Sequence, residues 1–460
     1  MGRIRNFLAL LRGQLWIIPL LLSILALVLA FWLLTSGASL LGGWNSEHWW
    51  LYSGDASTAR DLLSSLLSGL MTMTSLIVSV TFVILTLAAN QLGPRLISTF
   101  MADRQIQAVL GLFLGTILYL VIVLRSLDET LGAPGVPHIA VTIGSALTII
   151  CLFALLFYVH KIARSIIADN IVARVAGDLQ RNIRSMLPEN GVAVEHDQPA
   201  IPKPRVGAVP LDQTGYIQMI DYEALTAIAS REMAAFQVKV RAGHFVLRNG
   251  EHVVVHADHP LVPETIQAIR GAFVVGAERS PAQDLEYSLR QLVEIALRAL
   301  SPGINDPFTA IAVINQLGAA LEEIFQRSLQ PLIWRDKRGA VRVIAQRSDV
   351  QGFTDAAFDA IRQAGRDTPA VLIRMADVLA QLAPSVRSEV KHSAITEHLG
   401  RLAETAETAS LAPSDRKAIL VRIEQARTAI TAQGSEHPCS LTHGVAWSPF
   451  LWSARWPTLL

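Results

Sequence analysis

Hydrophobic positions along this chain follow two regimes. Before about residue 160 they form long, nearly unbroken runs; after it they recur at helical or strand spacing among charged residues. Four early runs reach the roughly 20 residues needed to cross a hydrocarbon core: Leu15–Leu34, Leu62–Ala89, Ile106–Leu124 and Val136–Val159. Lipid offers no partner to a bare backbone amide, so each is expected to be a helix. The first run follows Arg3, Arg5 and Arg12. It is too long for a signal-peptide core and reads as a retained helix. The helical period continues from His160 to Met186 as an extension of the fourth helix, and the proline-rich stretch 187–210 reads as a linker.

The pattern then changes period. Gly215–Ile220, Phe236–Val240 and Phe245–Val255 read as strands, the last broken by a turn at Asn249-Gly250, with a helix over Tyr222–Ala234. From Pro281 the spacing is almost wholly helical, with Leu285, Leu289, Leu292, Val293 and Ala296 on one face. Further helices are expected over 307–327, 351–365, 369–383, 387–409 and 413–432, with one strand at Val341–Ala345. The expected fold class is an α-helical integral membrane protein: four transmembrane helices plus a cytoplasmic α+β module and helical region. The expected divisions are a transmembrane domain at 1–165, an extension and linker at 166–210, an α/β module at 211–276, a helical domain at 277–432 and a tail at 433–460.

Charge sets the orientation. Arg3, Arg5 and Arg12 precede the first run, Arg95 and Arg104 separate the second and third, and Lys161, Arg164, Arg174, Arg181 and Arg184 follow the fourth. The opposite loops hold only Arg60 and Arg125, along with Trp44, Trp49, Trp50 and Tyr52, which suit an interfacial aromatic belt. Both termini are therefore expected on the cytoplasmic side of the membrane. A mean hydropathy of +0.39 agrees with a membrane chain, and a net charge of +1 gives nucleic-acid binding no support. The two cysteines, Cys151 and Cys439, build neither a disulfide framework nor a zinc spacing and suit a reducing compartment.

The second run holds the candidate chemistry. At 100° per residue, Asp61, Ser64, Ser68, Thr72, Ser75, Ser79, Phe82, Thr86 and Asn90 fall within an arc of about 80°. Eight of these nine are polar. A polar stripe through the depth of a membrane faces protein or water, not lipid. One reading is a pore lining: hydroxyls replace part of an ion's hydration shell, Asp61 attracts cations at the outer mouth, and Phe82 forms a constriction. One such helix cannot enclose a pore, so this reading needs a homo-oligomeric ring. The other reading is helix packing, with Ser and Thr bonding across a close contact and Asp61 favoured near a helix N-terminus. The third run carries Gly111 and Gly115 in a GxxxG spacing that marks close packing.

Further along, Ala299–Ala310 contains Ser301-Pro302-Gly303, a helix end, and Asp306-Pro307, an N-cap followed by a favoured first residue. Caps and a turn explain the segment; the functional alternative places Asp284, Arg298, Asn305 and Asp306 at a ligand or subunit contact. His244, His252, His256 and His259 cluster without an acidic or cysteine partner at ligand spacing, so exposed strand ends explain them better than a metal site. The nucleophile-elbow, Walker A, zincin and dinucleotide fingerprints are missing. No enzyme, cofactor or metal is indicated. The expected partners are the lipid bilayer, further copies of the chain and an ion.

The residues Ser75–Phe82, Ala89–Arg95, Asp103–Gln107, Leu110–Thr116, Gly276–Arg279, Gln283-Asp284 and Ala299–Ala310 together resemble the bacterial predicted membrane proteins called the domain of unknown function 2254 family. The resemblance spans roughly residues 10 to 430, with the tail outside it. It implies four N-terminal spans and a cytoplasmic domain and brings no catalytic residues. Two functions stand open: a channel-like oligomer lined by the second helix, or a membrane-anchored sensor or scaffold whose cytoplasmic domain binds a ligand or partner.

Overall fold

The computed structural model describes residues 16–40, 51–92, 103–127, 136–165, 168–189, 203–329, 331–386 and 388–435. The N-terminal arginines, Trp44, Trp49, Trp50, Arg95, His160's downstream neighbours at 166–167 and the tail from 436 lie outside these residues.

The first four helices are α1 (Ile17–Leu40), α2 (Ala56–Leu92), α3 (Arg104–Arg125) and α4 (His138–Ser165). Each contains its expected run, except that α1 starts after Leu15 and α4 after Val136. The largest correction is at α2. Asp55 accepts from the Thr58 amide at 3.1 Å, so the helix opens six residues before Leu62. Asp61 therefore sits in its second turn rather than at its start. Hydropathy misses these turns because they are polar. At the other end of the bundle Asp103 caps α3, accepting from the Gln105 amide at 2.9 Å, and Lys161 of α4 reaches it at 2.5 Å.

α3 is the central helix of this bundle, packing against α1, α2 and α4. Gly111 and Gly115 lie where α1 crosses it: a Cβ at Gly111 would come within 2.9 Å of the Pro19 Cα, and one at Gly115 within 3.2 Å of the Leu22 carbonyl oxygen. The GxxxG spacing thus marks the α1–α3 contact. Tyr119 donates to the Ala140 carbonyl at 2.9 Å and Tyr158 to the Ile77 carbonyl at 3.2 Å, satisfying phenols inside an apolar core. The outward residues of α1 and α4, such as Leu21, Leu25, Phe31, Phe153 and Leu156, are apolar and exposed, as lipid-facing surface requires.

The extension is a separate helix, α5 (Ala168–Met186), and it packs with α8 (Leu285–Ala299), α9 (Pro307–Gln326), α10 (Val350–Ala364), α11 (Pro369–Gln381), α12 (Glu389–Thr408) and α13 (Pro413–Ser435) around one core. α9 lies at its centre, touching α5, α8, α10 and α11, with Gly318 admitting Val378 of α11. Among the described residues five helices are long and apolar enough to cross a membrane, the first four and α9, one more than expected. In α9 Ala310, Val313, Ile314, Leu317, Leu321 and Ile324 are all covered by neighbouring helices, and its apolar window is buried to the same extent as that of α3.

Between α5 and α8 lie β1 (Arg205–Val209), β2 (Gly215–Ile220), α6 (Tyr222–Arg231), β3 (Ala235–Val238), β4 (Phe245–Val246), β5 (Val253–His256), α7 (Pro263–Gly271) and β6 (Phe273–Gly276); β7 (Ile333–Arg335) and β8 (Val341–Ile344) follow α9. One sheet has the order β1-β5-β3-β8-β7, antiparallel except for β3 with β8; the other is β4-β2-β6. Three expectations change here. The 187–210 linker contains β1. The strand expected over 245–255 is two strands in different sheets, because Asn249-Gly250 redirects the chain rather than closing a hairpin. The strand expected at Val341–Ala345 is present as β8, but β7 beside it was not expected, and the pair completes the sheet begun by β3.

Candidate functional site

α2 is built on two opposed faces. Ala56, Ala59, Leu63, Leu70, Ile77 and Ile84 are buried against the bundle. From Leu63 to Ile84 these recur every seven residues, so they form one seam. The polar stripe lies about 170° away from that seam at 100° per residue. Asp61, Ser68, Thr72, Ser75, Ser79 and Thr86 are exposed, Ser64 is half-buried, and Phe82 is 63% exposed. Asn90 belongs to α2, but its side chain is outside the described residues. The structure thus brings eight of the nine candidates onto one uncovered face. Ser57 and Ser65 are exposed on the same side of the helix; Ser57 falls within the arc of the stripe and Ser65 about 20° beyond its edge.

The stripe hydroxyls remain compatible with the helix. Thr72 donates to the Ser68 carbonyl at 3.0 Å and Thr86 to the Phe82 carbonyl at 2.9 Å, so each keeps oxygen lone pairs for an outside donor or cation. By contrast Thr74 and Thr81, on the inner side, donate to Leu70 and Ile77, and Thr81 also meets the Tyr158 hydroxyl. Two polar classes therefore share one helix: one satisfied inside the bundle, the other facing outward. Asp61 to Thr86 covers about 37 Å of helix, longer than the ~30 Å hydrocarbon core. α2 also touches α8, which brings this helix against the C-terminal region.

The four candidates near the Asn-Asp-Pro segment do not form one site. Asp284 and Arg298 occupy opposite ends of α8, about 21 Å apart along its axis. Asp284 caps α8, its Oδ1 accepting from the Tyr287 amide at 3.0 Å, and its Oδ2 accepts from both the Nε and an Nη of Arg279 at 2.9 and 2.5 Å. Asp306 caps α9, accepting from the Phe308 and Thr309 amides at 3.1 Å and from the Thr309 hydroxyl at 2.5 Å. The Asp306 amide donates to the Ala299 carbonyl at 2.7 Å, which closes the hairpin. Asn305 has φ +49°, the left-handed conformation that asparagine tolerates and this corner needs. Arg298 instead lines a groove of about 760 Å³ between α8 and α10, shared with Glu286, Arg290, Glu294, Asp355 and Asp359.

The histidine cluster dissolves. His252 is buried and accepts from the Leu211 amide at 3.0 Å, while His256 contacts the Lys203 carbonyl at 3.1 Å; neither shares a partner with the other. The expected exposure of these strand ends fails for His252, which the fold draws in as a backbone acceptor. A different group, Asp355, Asp359 and His398, places its ligand atoms within 4.8 Å of one another. Its cation is already internal: Arg401 lies 2.9 Å from both carboxylates, and the His398 Nε2 is 2.9 Å from Asp355.

Burial pushes the His398 pKa down, against the pull of the Asp359 and Asp355 carboxylates. An imidazole depressed in the fold binds its proton more readily when unfolded. Its contribution is therefore fully present above about pH 6.5 and is lost as pH falls below it. We expect thermal stability to drop between pH 7 and 5, and His398→Leu to flatten that slope. An unchanged slope in the variant would remove His398 as its source.

Residues 12–381 match the family described as a predicted membrane protein, domain of unknown function 2254. The chain belongs to this family. The match ends with α11, so α12 and α13 lie beyond it, a shorter span than the resemblance indicated. Uncharacterized proteins of Mycobacterium tuberculosis and Mycobacterium bovis are each 27% identical over 404 residues, covering 86% of this chain and 77% of theirs. No solved structure matches the chain significantly. As a member of this family the chain is a membrane protein, and α1–α4 supply the apolar surface that a bilayer requires.

Proposed function

We propose that copies of this family member assemble about an axis in the bacterial cytoplasmic membrane, with the outward face of α2 lining a polar path for ions. The observation that carries this reading is that a stripe of hydroxyls with Asp61 is left uncovered by its own bundle while the opposite face is packed. Lipid cannot satisfy such a face, and a ring of subunits can enclose it. In this reading α1–α4 are the four spans, α9 is a core helix of the cytoplasmic region, both termini are cytoplasmic, and the protein carries out no chemical step. Phe82 narrows the path and Asp61 favours cations at its outer end.

Purified protein in planar bilayers tests this. Wild type is expected to pass current, Phe82→Ala to pass severalfold more, and Asp61→Asn to lose cation preference. No current in any form, or the same conductance and selectivity in all three, would sink the proposal and leave the stripe as a subunit seam.

A second reading rests on the groove between α8 and α10. Its mixed acids and arginines suit a polar ligand, and α8 touches α2. Here the membrane helices anchor a sensing cytoplasmic domain. Ligand-dependent protection of α8 and α10 amides from exchange, without current, would favour it.

A further inference from the structure

We propose that the tip of the α8–α9 hairpin, Ile304 with Phe308, seats in the headgroup boundary of the same bilayer that α1–α4 occupy. This rests on the spanning reading of those helices and is independent of whether α2 lines a pore.

The argument is one of height. α5 begins three residues after α4 ends. Asp103, the cap of α3, holds Lys161 of α4 at 2.5 Å and Arg174 of α5 at 3.7 Å. The first turns of α5 therefore stand level with the cytoplasmic end of the bundle. At the far end of α5, Arg184 pairs with Glu323 of α9 at 2.7 Å, and Arg327 donates to the Leu187 carbonyl at 2.8 Å and to Glu189 at 2.9 Å. α5 and α9 are thus parallel and joined at their C-terminal ends. Counting back 16 residues along each, about 24 Å, brings Pro307 level with Ala168. The hairpin tip stands where the chain leaves the membrane, and α8, one arm of the hairpin, touches the membrane helix α2.

The surface of the tip fits that height. Phe308 is 80% exposed and Ile304 45% exposed, two large apolar side chains at one corner. The amides beneath them are already satisfied. The Ile304 and Asn305 amides donate to the Ser301 carbonyl at 3.0 and 2.9 Å, and Asp306 takes up the first amides of α9. A loop entering the interface must carry such internal bonds, because few water partners remain there. The Asn-Asp-Pro cap then has a purpose beyond ending helices: it holds two apolar side chains outward on a corner that exposes little unsatisfied backbone.

Spin labels in the full chain, reconstituted in phosphatidylcholine liposomes, test this. In a Cys439→Ser background, leaving the buried Cys151 in place, labels go at Phe308→Cys, Ile304→Cys, Leu25→Cys and Lys337→Cys. Leu25 faces outward on α1 and marks lipid; Lys337 is exposed in the β7–β8 turn and marks water. Labels at 308 and 304 are expected to collide with oxygen severalfold more than with a water-soluble nickel chelate, as at 25 and opposite to 337. Chelate accessibility at 308 and 304 equal to that at 337 overturns the proposal. So does immobilisation shielded from both colliders, which would mean a protein partner. If the label at 25 also reads as water-exposed, the spanning reading fails as well; if it reads as lipid, only the tip proposal falls.

Discussion

Asp284→Ala is expected to cost the cytoplasmic region about 3–5 kcal/mol, the range for breaking a buried ion pair from one side. Its carboxylate is fully buried. One oxygen caps α8 through the Tyr287 amide, and the other receives both nitrogens of the Arg279 fork. Removing it leaves a guanidinium only 17% exposed, stacked over Tyr287 at 5.4 Å, with no carboxylate to answer it. The neighbouring Arg241–Glu286 pair, at 2.7 Å, has its own acid engaged by Ser348. The backbone around the site is shaped to it: Gly243 has φ +89°, and a Cβ there would collide with the Asp284 carboxylate. Denaturant or thermal unfolding of the purified protein measures the loss. Combining Asp284→Ala with Arg279→Met is expected to recover part of it, because the stranded cation is gone, while the missing cap persists. A double variant as unstable as the sum of the singles would mean that the two side chains act separately.

That pair also shows where sequence reading ends. Asp284 was legible as notable, but from sequence alone it belonged with Arg298, Asn305 and Asp306 as a surface contact. Its role depends on Gly243 and Arg279 converging on it from separate loops, and no local period records that. Helical periodicity was enough for α2, α3 and α8–α13, because each buries one continuous stripe. The boundary of α2 was missed because its first turns are polar and its cap, Asp55, stands before any apolar repeat. The short elements α7 and β6 passed unassigned for a different reason: nine and four residues hold too few repeats of either period. The pairing of β3 with β8 joins residues about a hundred positions apart, which pattern cannot anticipate. The stripe on α2 was legible in full as a pattern. What sequence left open was whether its own bundle covers it, and burial at Leu63, Leu70, Ile77 and Ile84 answers that by turning the stripe outward.

Gly111→Val is expected to separate α1 from α3 and destabilise the membrane bundle by about 1–3 kcal/mol, the range for overpacking a close contact. The upper end is expected because the obstructing atom is backbone, the Pro19 Cα at 2.9 Å, which no side-chain rotation can move aside. Leu22 stands against the same position, and Gly115 meets the Leu22 carbonyl one turn further on, so α1 cannot slide past the obstruction without meeting the next. Thermal unfolding in detergent, followed by loss of helical signal, reads the effect. Gly69→Val is the matched control: it lies on α2 beside the polar stripe, and a Cβ there meets nothing within 4 Å of its own chain. In dilute detergent, where a ring would dissociate, that variant should lose only the small cost of a β-branched residue against the gain of removing glycine from a helix. If Gly69→Val is instead as damaging as Gly111→Val in the bilayer but harmless in dilute detergent, the uncovered side of α2 is held against another subunit. If it is harmless in both, no subunit packs against that side of α2, and the close subunit seam is excluded there.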